Sequence, residues 1–443
     1  MATRKKRPTA RTATRKPAAG TDASWFEQGR FGMFIHWGLY SLAARHEWVQ
    51  KRERMTCEEY HRYFERFDPD LYDPVQWARA ARDAGMRYVV VTAKHHEGFC
   101  LWDSEYTDYK ATNTPCARDL LAPLLEAFRA EGLRIGLYYS LLDWHHGQFP
   151  VDRHHPMSDD AEFRKANAGR DVRKYARYVR NQVTELLTKY GPIDYMWYDF
   201  SYPGADGKGR DDWESLELMK LTRRLQPGIL INDRLDLLDI PGGWDVRTTE
   251  QVMVREGVTR DGKPVPWETC QTFSGSWGYH REESTWKSVR QLVYLLIDTV
   301  SKGGNLLLNV GPTARGTFDA RATERLEGIA AWMRLCARSI HGCGPAPDEL
   351  SAPEDCRLTY NAETNRLYVH VLNWPLGRLH IEHLAGRVAY AHLLHDAGEV
   401  RLLDGAGHLS GALGRQLADD VLTLELPVVR PEVAVPVIEL MLN

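Results

Sequence analysis

From Trp25 to about residue 345, short apolar runs alternate with longer stretches whose apolar positions recur at helical spacing. The runs at 32–36, 88–92, 135–139, 195–199, 229–233 and 305–310 read as strands. The stretches at 74–84, 119–131, 172–188, 213–225, 288–301 and 320–337 read as helices. Pro74 suits a first helical turn, and Gly85 and Gly132 stand where two helices stop. Alternation at 40–50 residue spacing predicts an α/β fold, with parallel strands closed into a (β/α)8-like TIM barrel over residues 25–345. An open doubly wound sheet is the alternative, but no GxGxxG turn follows the first strand.

The pattern changes after Gly342. Pro345, Pro347 and Pro353 mark a linker, and the segments at 367–372 and 422–426 alternate with period two; Leu422, Leu424 and Leu426 flank Thr423 and Glu425. Residues 346–443 are therefore expected to form an antiparallel β-sandwich that packs and stabilises rather than catalyses. Neither region shows an internal repeat.

Composition matters mainly through its distribution. The 443 residues hold 57 Lys and Arg against 60 Asp and Glu, a net charge of −3. Residues 1–24 alone carry seven bases (Arg4, Lys5, Lys6, Arg7, Arg11, Arg15 and Lys16) and one acid, Asp22. The remainder has 50 bases against 59 acids, a charge of −9, which disfavours nucleic acid as a partner. The tail at 1–24 reads as a disordered, solvated segment; no apolar stretch follows it, as a secretory signal requires. No run approaches the ~18 apolar residues of a membrane helix. Seven scattered cysteines without a CxxC pair suit reduced thiols and a cytoplasmic location. A homo-oligomer is left open.

Polar residues cluster at the predicted strand ends: His36 ends the first, His95 and His96 follow the second, Asp199 ends the fourth, and Asp233 and Arg234 stand at the end of the fifth. Active sites of parallel barrels lie at that end of the strands. Asp199 stands among aromatics in Trp197-Tyr198-Asp199-Phe200, and Arg234 is placed to hold it as a carboxylate across the barrel mouth. An ionised carboxylate in an apolar pocket is what a glycosidase nucleophile requires. A second carboxylate must protonate the leaving oxygen. Glu250 follows an apparent short strand, while Glu268, beside Trp267, either serves that role, binds substrate or buttresses the site. Spacing alone does not rank them.

Imidazole clusters also suit Zn²⁺, but no HExxH or paired strand-end ligands occur, so neither metal nor other cofactor is expected. Hydrogen bonding to sugar hydroxyls accounts better for His36, His95 and His96, since imidazole both donates and accepts. His145, His146, His154 and His155 read as solvated loop residues. Trp37, Trp48, Trp102, Trp144, Trp197, Trp267 and Trp277 lie beside polar residues, where ring faces suit the C–H faces of pyranoses.

These residues fall within a series of longer motifs: 30–38 (RFGMFIHWG), His46-Glu47-Trp48, 94–99 (KHHEGF), 136–140 (GLYYS), Trp197-Tyr198-Asp199, Asn232-Asp233-Arg234, 276–279 (SWGY) and 301–312 (SKGGNLLLNVGP). In this order they closely resemble the α-L-fucosidases of glycoside hydrolase family 29. The resemblance implies an exo-acting enzyme that hydrolyses terminal α-L-fucosyl linkages of a fucosylated glycan or glycoside with retention, through a fucosyl-enzyme intermediate and without a cofactor. It implies Asp199 as nucleophile, and favours Glu250 over Glu268 as acid/base. His36, Glu47, Trp48, His95, His96, Tyr138 and Arg234 would bind fucose; Glu268 is expected as a further substrate contact on its place beside Trp267 alone. Phe34, Phe200 and Trp277 would form one apolar patch around the C5 methyl, a group worth only ~1–3 kcal/mol of discrimination. The competing readings are a retaining hydrolase for a neighbour such as an α-galactoside, and a catalytically inactive fucose-binding protein.

Overall fold

Strand β1 (Phe31–Ile35) shows how the sequence builds the barrel. Its period-two pattern sends Phe34 to an interior cluster with Tyr88, Tyr138, Tyr195, Trp197 and Leu307, and sends Phe31, Met33 and Ile35 to the outer helical layer. The computed structural model describes residues 21–404 and 417–443; of the basic tail expected over 1–24, residues 1–20 lie outside the described residues.

The other barrel strands are β2 (Tyr88–Lys94), β3 (Arg134–Ser140), β4 (Tyr195–Asp199), β5 (Leu230–Ile231), β6 (Arg247–Glu250), β7 (Trp267–Thr272) and β8 (Asn305–Val310). Each pairs in parallel with its neighbour in sequence except β5 with β6, and β8 pairs with β1. A parallel bridge between Asn232 and Val246 joins β5 to β6 and closes the barrel. Helices Pro74–Asp83, Leu121–Ala130, Val172–Lys189, Ser215–Leu225, Val289–Ser301 and Ala320–Cys336 cover its outside. Asp73 caps the first of these, accepting from the N–H groups of Val75 and Gln76 ahead of which Pro74 starts the turn. Among the described residues no helix is long and apolar enough to cross a membrane.

The six strands read from the sequence are present, and β6 and β7 add to them. Strand β7 reads as polar, Trp-Glu-Thr-Cys-Gln-Thr, yet every residue of it is buried. Its polar groups are hydrogen-bonded: Glu268 accepts from two tyrosines and a tryptophan, and Thr269 and Gln271 donate to the Val252 carbonyl. A hydrophobicity pattern cannot recognise a strand buried on those terms. The connections after β5 and β6 carry no covering helix, only loops and a small hairpin around 259–264.

The C-terminal region is the expected sandwich. Cys356–Asn361, Arg366–Val371, Val437–Leu442 and Val388–Leu393 form one antiparallel sheet; Arg378–Ile381, Leu422–Glu425 and Arg401–Asp404 form the other. Leu358, Val369, Ile438 and Leu440 of the first meet Leu379, Ile381 and Leu424 of the second in a shared core. The sandwich is tied to the barrel by Arg357 Nε donating to Asp298 at 2.8 Å and by Trp332 Nε1 donating to the Val435 carbonyl at 2.8 Å.

Gly32 is required by the interior. A Cβ there would lie 2.4 Å from the Tyr88 ring, which the Tyr88–Glu268 hydrogen bond holds in place. Gly32→Ala is therefore expected to destabilise the protein by about 1–3 kcal/mol, as overpacking does. Urea unfolding measures this, and an unchanged midpoint would contradict it.

Candidate active site

Inward alternation along β4 stacks Tyr195, Trp197 and Asp199 along the barrel interior, with Asp199 uppermost at the C-terminal end. Tyr138, on β3 at the level of Trp197, donates its hydroxyl up to Asp199 Oδ2 at 2.7 Å. Arg234, three residues beyond β5, donates from Nη1 to Asp199 Oδ1 at 2.8 Å. Its Nη2 donates to Glu250 Oε2 at 2.8 Å, and its Nε to Thr248 Oγ1 at 3.1 Å. Both carboxylates thus sit on one guanidinium, whose Cζ lies 4.4 Å from the centroid of the Trp197 ring beneath it. Burial acts against the charge of Arg234, but Asp199, Cys270 and Glu250 outweigh it and raise its pKa further above the ordinary value. Asp233 secures the arrangement by accepting from Thr248 N–H and Oγ1 and from Arg247.

The imidazoles form the opposite wall. Asn309 Nδ2 donates to the Trp277 carbonyl, leaving Asn309 Oδ1 to accept from His36 Nδ1 at 2.6 Å. Ser140 Oγ donates to the Leu142 carbonyl and so accepts from His96 Nδ1 at 2.7 Å. In both histidines the proton is thereby fixed on Nδ1, and Nε2 is left as an acceptor. Burial, with the adjacent His95 imidazole, pushes the pKa of each well below 6.5. His95 packs between them, with ring centroids 5.4 Å from His36 and 3.8 Å from His96. Glu47 is buried; its Oε2 accepts from the backbone N–H of Trp277 at 3.1 Å and of Gly278 at 2.9 Å, pinning that loop over the barrel.

Phe34, His36, Trp48, His95, His96, Tyr138, Trp197, Asp199, Phe200, Glu250, Cys270 and Trp277 line an inner pocket. It opens past Trp48, Phe200 and Glu250 into an outer compartment walled also by Ser201, Tyr202, Asp236 and Leu238. Among the described residues no group of three or more His, Cys, Asp or Glu is arranged to hold a metal ion.

Phe34, Phe200 and Trp277 all line the inner pocket: Phe34 and Trp277 lie 5.9 Å apart, and Phe200 packs among Trp48, His96, His154 and Tyr202. Three expectations are corrected. Glu268 does not line the pocket: it is fully buried below Trp197 and accepts from Trp197 Nε1, Tyr195 and Tyr88, the position of a buttress rather than of a substrate contact. Of the seven tryptophans beside polar residues, Trp37, Trp102, Trp144 and Trp267 fill the core. His155 is buried rather than solvated, its Nδ1 accepting from the Met157 N–H.

Two residues of the site escaped the sequence reading. Asn309 was legible as a polar residue on the inward-facing side of an apolar strand, alternating with Leu307. Cys270 carried no signal, because its strand was hidden by its own polar composition.

Paired carboxylates, neutral imidazole acceptors and aromatic faces at the C-terminal mouth of a parallel barrel mark a glycoside hydrolase. The sequence profile of one such family, described as "Alpha-L-fucosidase", matches residues 2–337. Human plasma α-L-fucosidase is 30% identical over 436 residues, spanning 91% of this chain and 85% of its own. α-L-Fucosidase isoenzyme 1 from Paenibacillus thiaminolyticus superposes with a TM-score of 0.88 at 45% identity, over 95% of this chain and 98% of that one. A Thermotoga maritima α-fucosidase solved with a mechanism-based inhibitor gives a TM-score of 0.75 at 30% identity, over 94% and 96% of the two chains. The chain belongs to the α-L-fucosidases, glycoside hydrolase family 29.

The neutral histidines make stability depend on pH. Below about 6.5 the unfolded chain takes up protons that folded His36 and His96 refuse, so acid favours unfolding. The urea midpoint should therefore decline as the pH falls from 7 to 5. A variant carrying His36→Gln and His96→Gln should show a shallower decline, and an unchanged slope would contradict the assignment.

Proposed function

We propose that Asp199 is the nucleophile and Glu250 the acid/base of a retaining α-L-fucosidase, in which the inner pocket takes the fucosyl ring and the outer compartment takes the leaving group. The observation that carries this reading is the pair of carboxylates on Arg234, one deep in the inner pocket and one on the boundary between the two compartments.

In the first step Asp199 attacks the anomeric carbon as the glycosidic C–O bond breaks, and the leaving oxygen takes the proton of Glu250. Charge leaves Asp199 as the ester forms, and the donors on its two oxygens, Tyr138 and Arg234, hold the attacking geometry. In the second step water enters where the leaving group stood, gives its proton to Glu250 and its oxygen to the anomeric carbon, and frees the Asp199 carboxylate. The unprotonated Nε2 atoms of His36 and His96 accept from sugar hydroxyls. Phe34 and Trp277 supply a dry wall for the C5 methyl. The seven cysteines, all unpaired, support a reducing, cytoplasmic setting.

Asp199→Gly should abolish turnover of an aryl α-L-fucoside, and added azide should restore it in part, yielding the fucosyl azide of inverted configuration. Activity retained without azide would remove Asp199 from the role. Glu250→Ala should slow substrates with poor leaving groups by about 10²–10⁴-fold. Dinitrophenyl fucoside, whose leaving group needs no proton, should be affected far less in its first step. Equal losses on both would assign the acid/base elsewhere.

A further inference from the structure

Glu268 is a fully buried carboxylate that the reaction itself does not use. Oε1 accepts from Trp197 Nε1 at 2.7 Å and from the Tyr195 hydroxyl at 2.8 Å, and Oε2 accepts from the Tyr88 hydroxyl at 2.9 Å. Tyr195 and Trp197 share the inward face of β4 with Asp199, four and two residues before it. The upper face of Trp197 carries the Arg234 guanidinium at 4.4 Å, and its ring stacks on Tyr138 with centroids 5.5 Å apart and planes 23° apart. Arg234 and Tyr138 are the two donors to Asp199. One tryptophan ring thus separates Glu268 from both groups that aim the nucleophile.

An indole in the middle of a barrel has only one polar atom, and a bond to that atom fixes how the ring lies in its plane. Without an acceptor at Glu268 the indole N–H would be buried and unsatisfied, and the ring would be free to tilt toward any other partner. A tilt would carry Arg234 and Tyr138 with it. Burial pushes the pKa of Glu268 up to about 7, while its three donors pull the other way; the remaining charged group facing it is Arg234, beyond the indole.

We propose that Glu268 is a positioning residue for the nucleophile: its hydrogen bond to Trp197 sets the platform on which Arg234 and Tyr138 hold the Asp199 carboxylate in its attacking geometry. The inference rests on Asp199 being the nucleophile.

The test compares Glu268→Ala in two backgrounds. In the otherwise unaltered enzyme it should lower kcat on an aryl α-L-fucoside on the order of tenfold to a hundredfold, the loss that misplacing a reacting group brings. KM should change less than kcat. Glu268→Gln, which keeps an acceptor for Trp197 and Tyr195, should recover most of the loss. In the Asp199→Gly enzyme driven by azide there is no carboxylate left to aim, so Glu268→Ala should change the azide-dependent rate little. Equal losses in both backgrounds would make Glu268 a merely structural residue and overturn the proposal, as would no loss in either. Should Glu268→Ala fail to fold, Trp197→Phe removes the same hydrogen bond from the other side and is read in the same two backgrounds. If azide does not rescue Asp199→Gly at all, the nucleophile assignment falls, and the positioning role falls with it.

Discussion

Two carboxyl groups lining one pocket lose hydration when a sugar enters, and Arg234 is the group that hydrogen-bonds to both. Its guanidinium spends one nitrogen on each acid and the third on Thr248, with its face on Trp197. A lysine could not reproduce this, because an ammonium has neither the planar fork nor the face that stacks on an indole. The arrangement also orders the two acids by depth. Asp199 is enclosed by the barrel, whereas the Glu250 side chain is 42% exposed beside the compartment where a leaving group or water would lie.

The barrel delivers this geometry through simple periodicities. Alternation along β3 and β4 carries Tyr138, Trp197 and Asp199 inward at successive levels, and Gly32 leaves room for the Tyr88 ring below them. The loops after β5 and β6 are free of covering helices; the first brings Arg234 to the mouth, and β6 itself ends there at Glu250. Parallel pairing of β6 on β7 then sets Glu250 beside Cys270 at the pocket wall, while Glu268 of β7 faces the interior below.

Much of this was legible in the sequence wherever apolar periodicity and polar interruptions coincide. Asp199 at the end of an apolar strand, the paired His95 and His96, and the Asp233-Arg234 step each announced a strand end turned toward chemistry. What stayed hidden was hidden by burial of polar groups on good terms. Strand β7 has no hydrophobic signature because its partners are hydrogen bonds, and so neither Cys270 nor the inward depth of Glu268 could be placed. Core tryptophans such as Trp37 and Trp102 mimic sugar-binding ones in sequence, since each needs a nearby acceptor for its indole N–H: the Thr313 carbonyl for Trp37 and Glu185 for Trp102. Only packing tells a ring that uses its polar neighbour for satisfaction from one that offers its face to a ligand.

The account stands on a double displacement at the anomeric carbon, and product stereochemistry reads that directly. Proton NMR of an aryl α-L-fucoside during the first turnovers, before mutarotation equilibrates the sugar, should show α-L-fucose appearing first and the β-anomer growing in only later. β-L-Fucose as the initial product would mean a single displacement by water, with Asp199 acting as a base, and would contradict the arrangement of roles described for Asp199, Glu250 and Arg234.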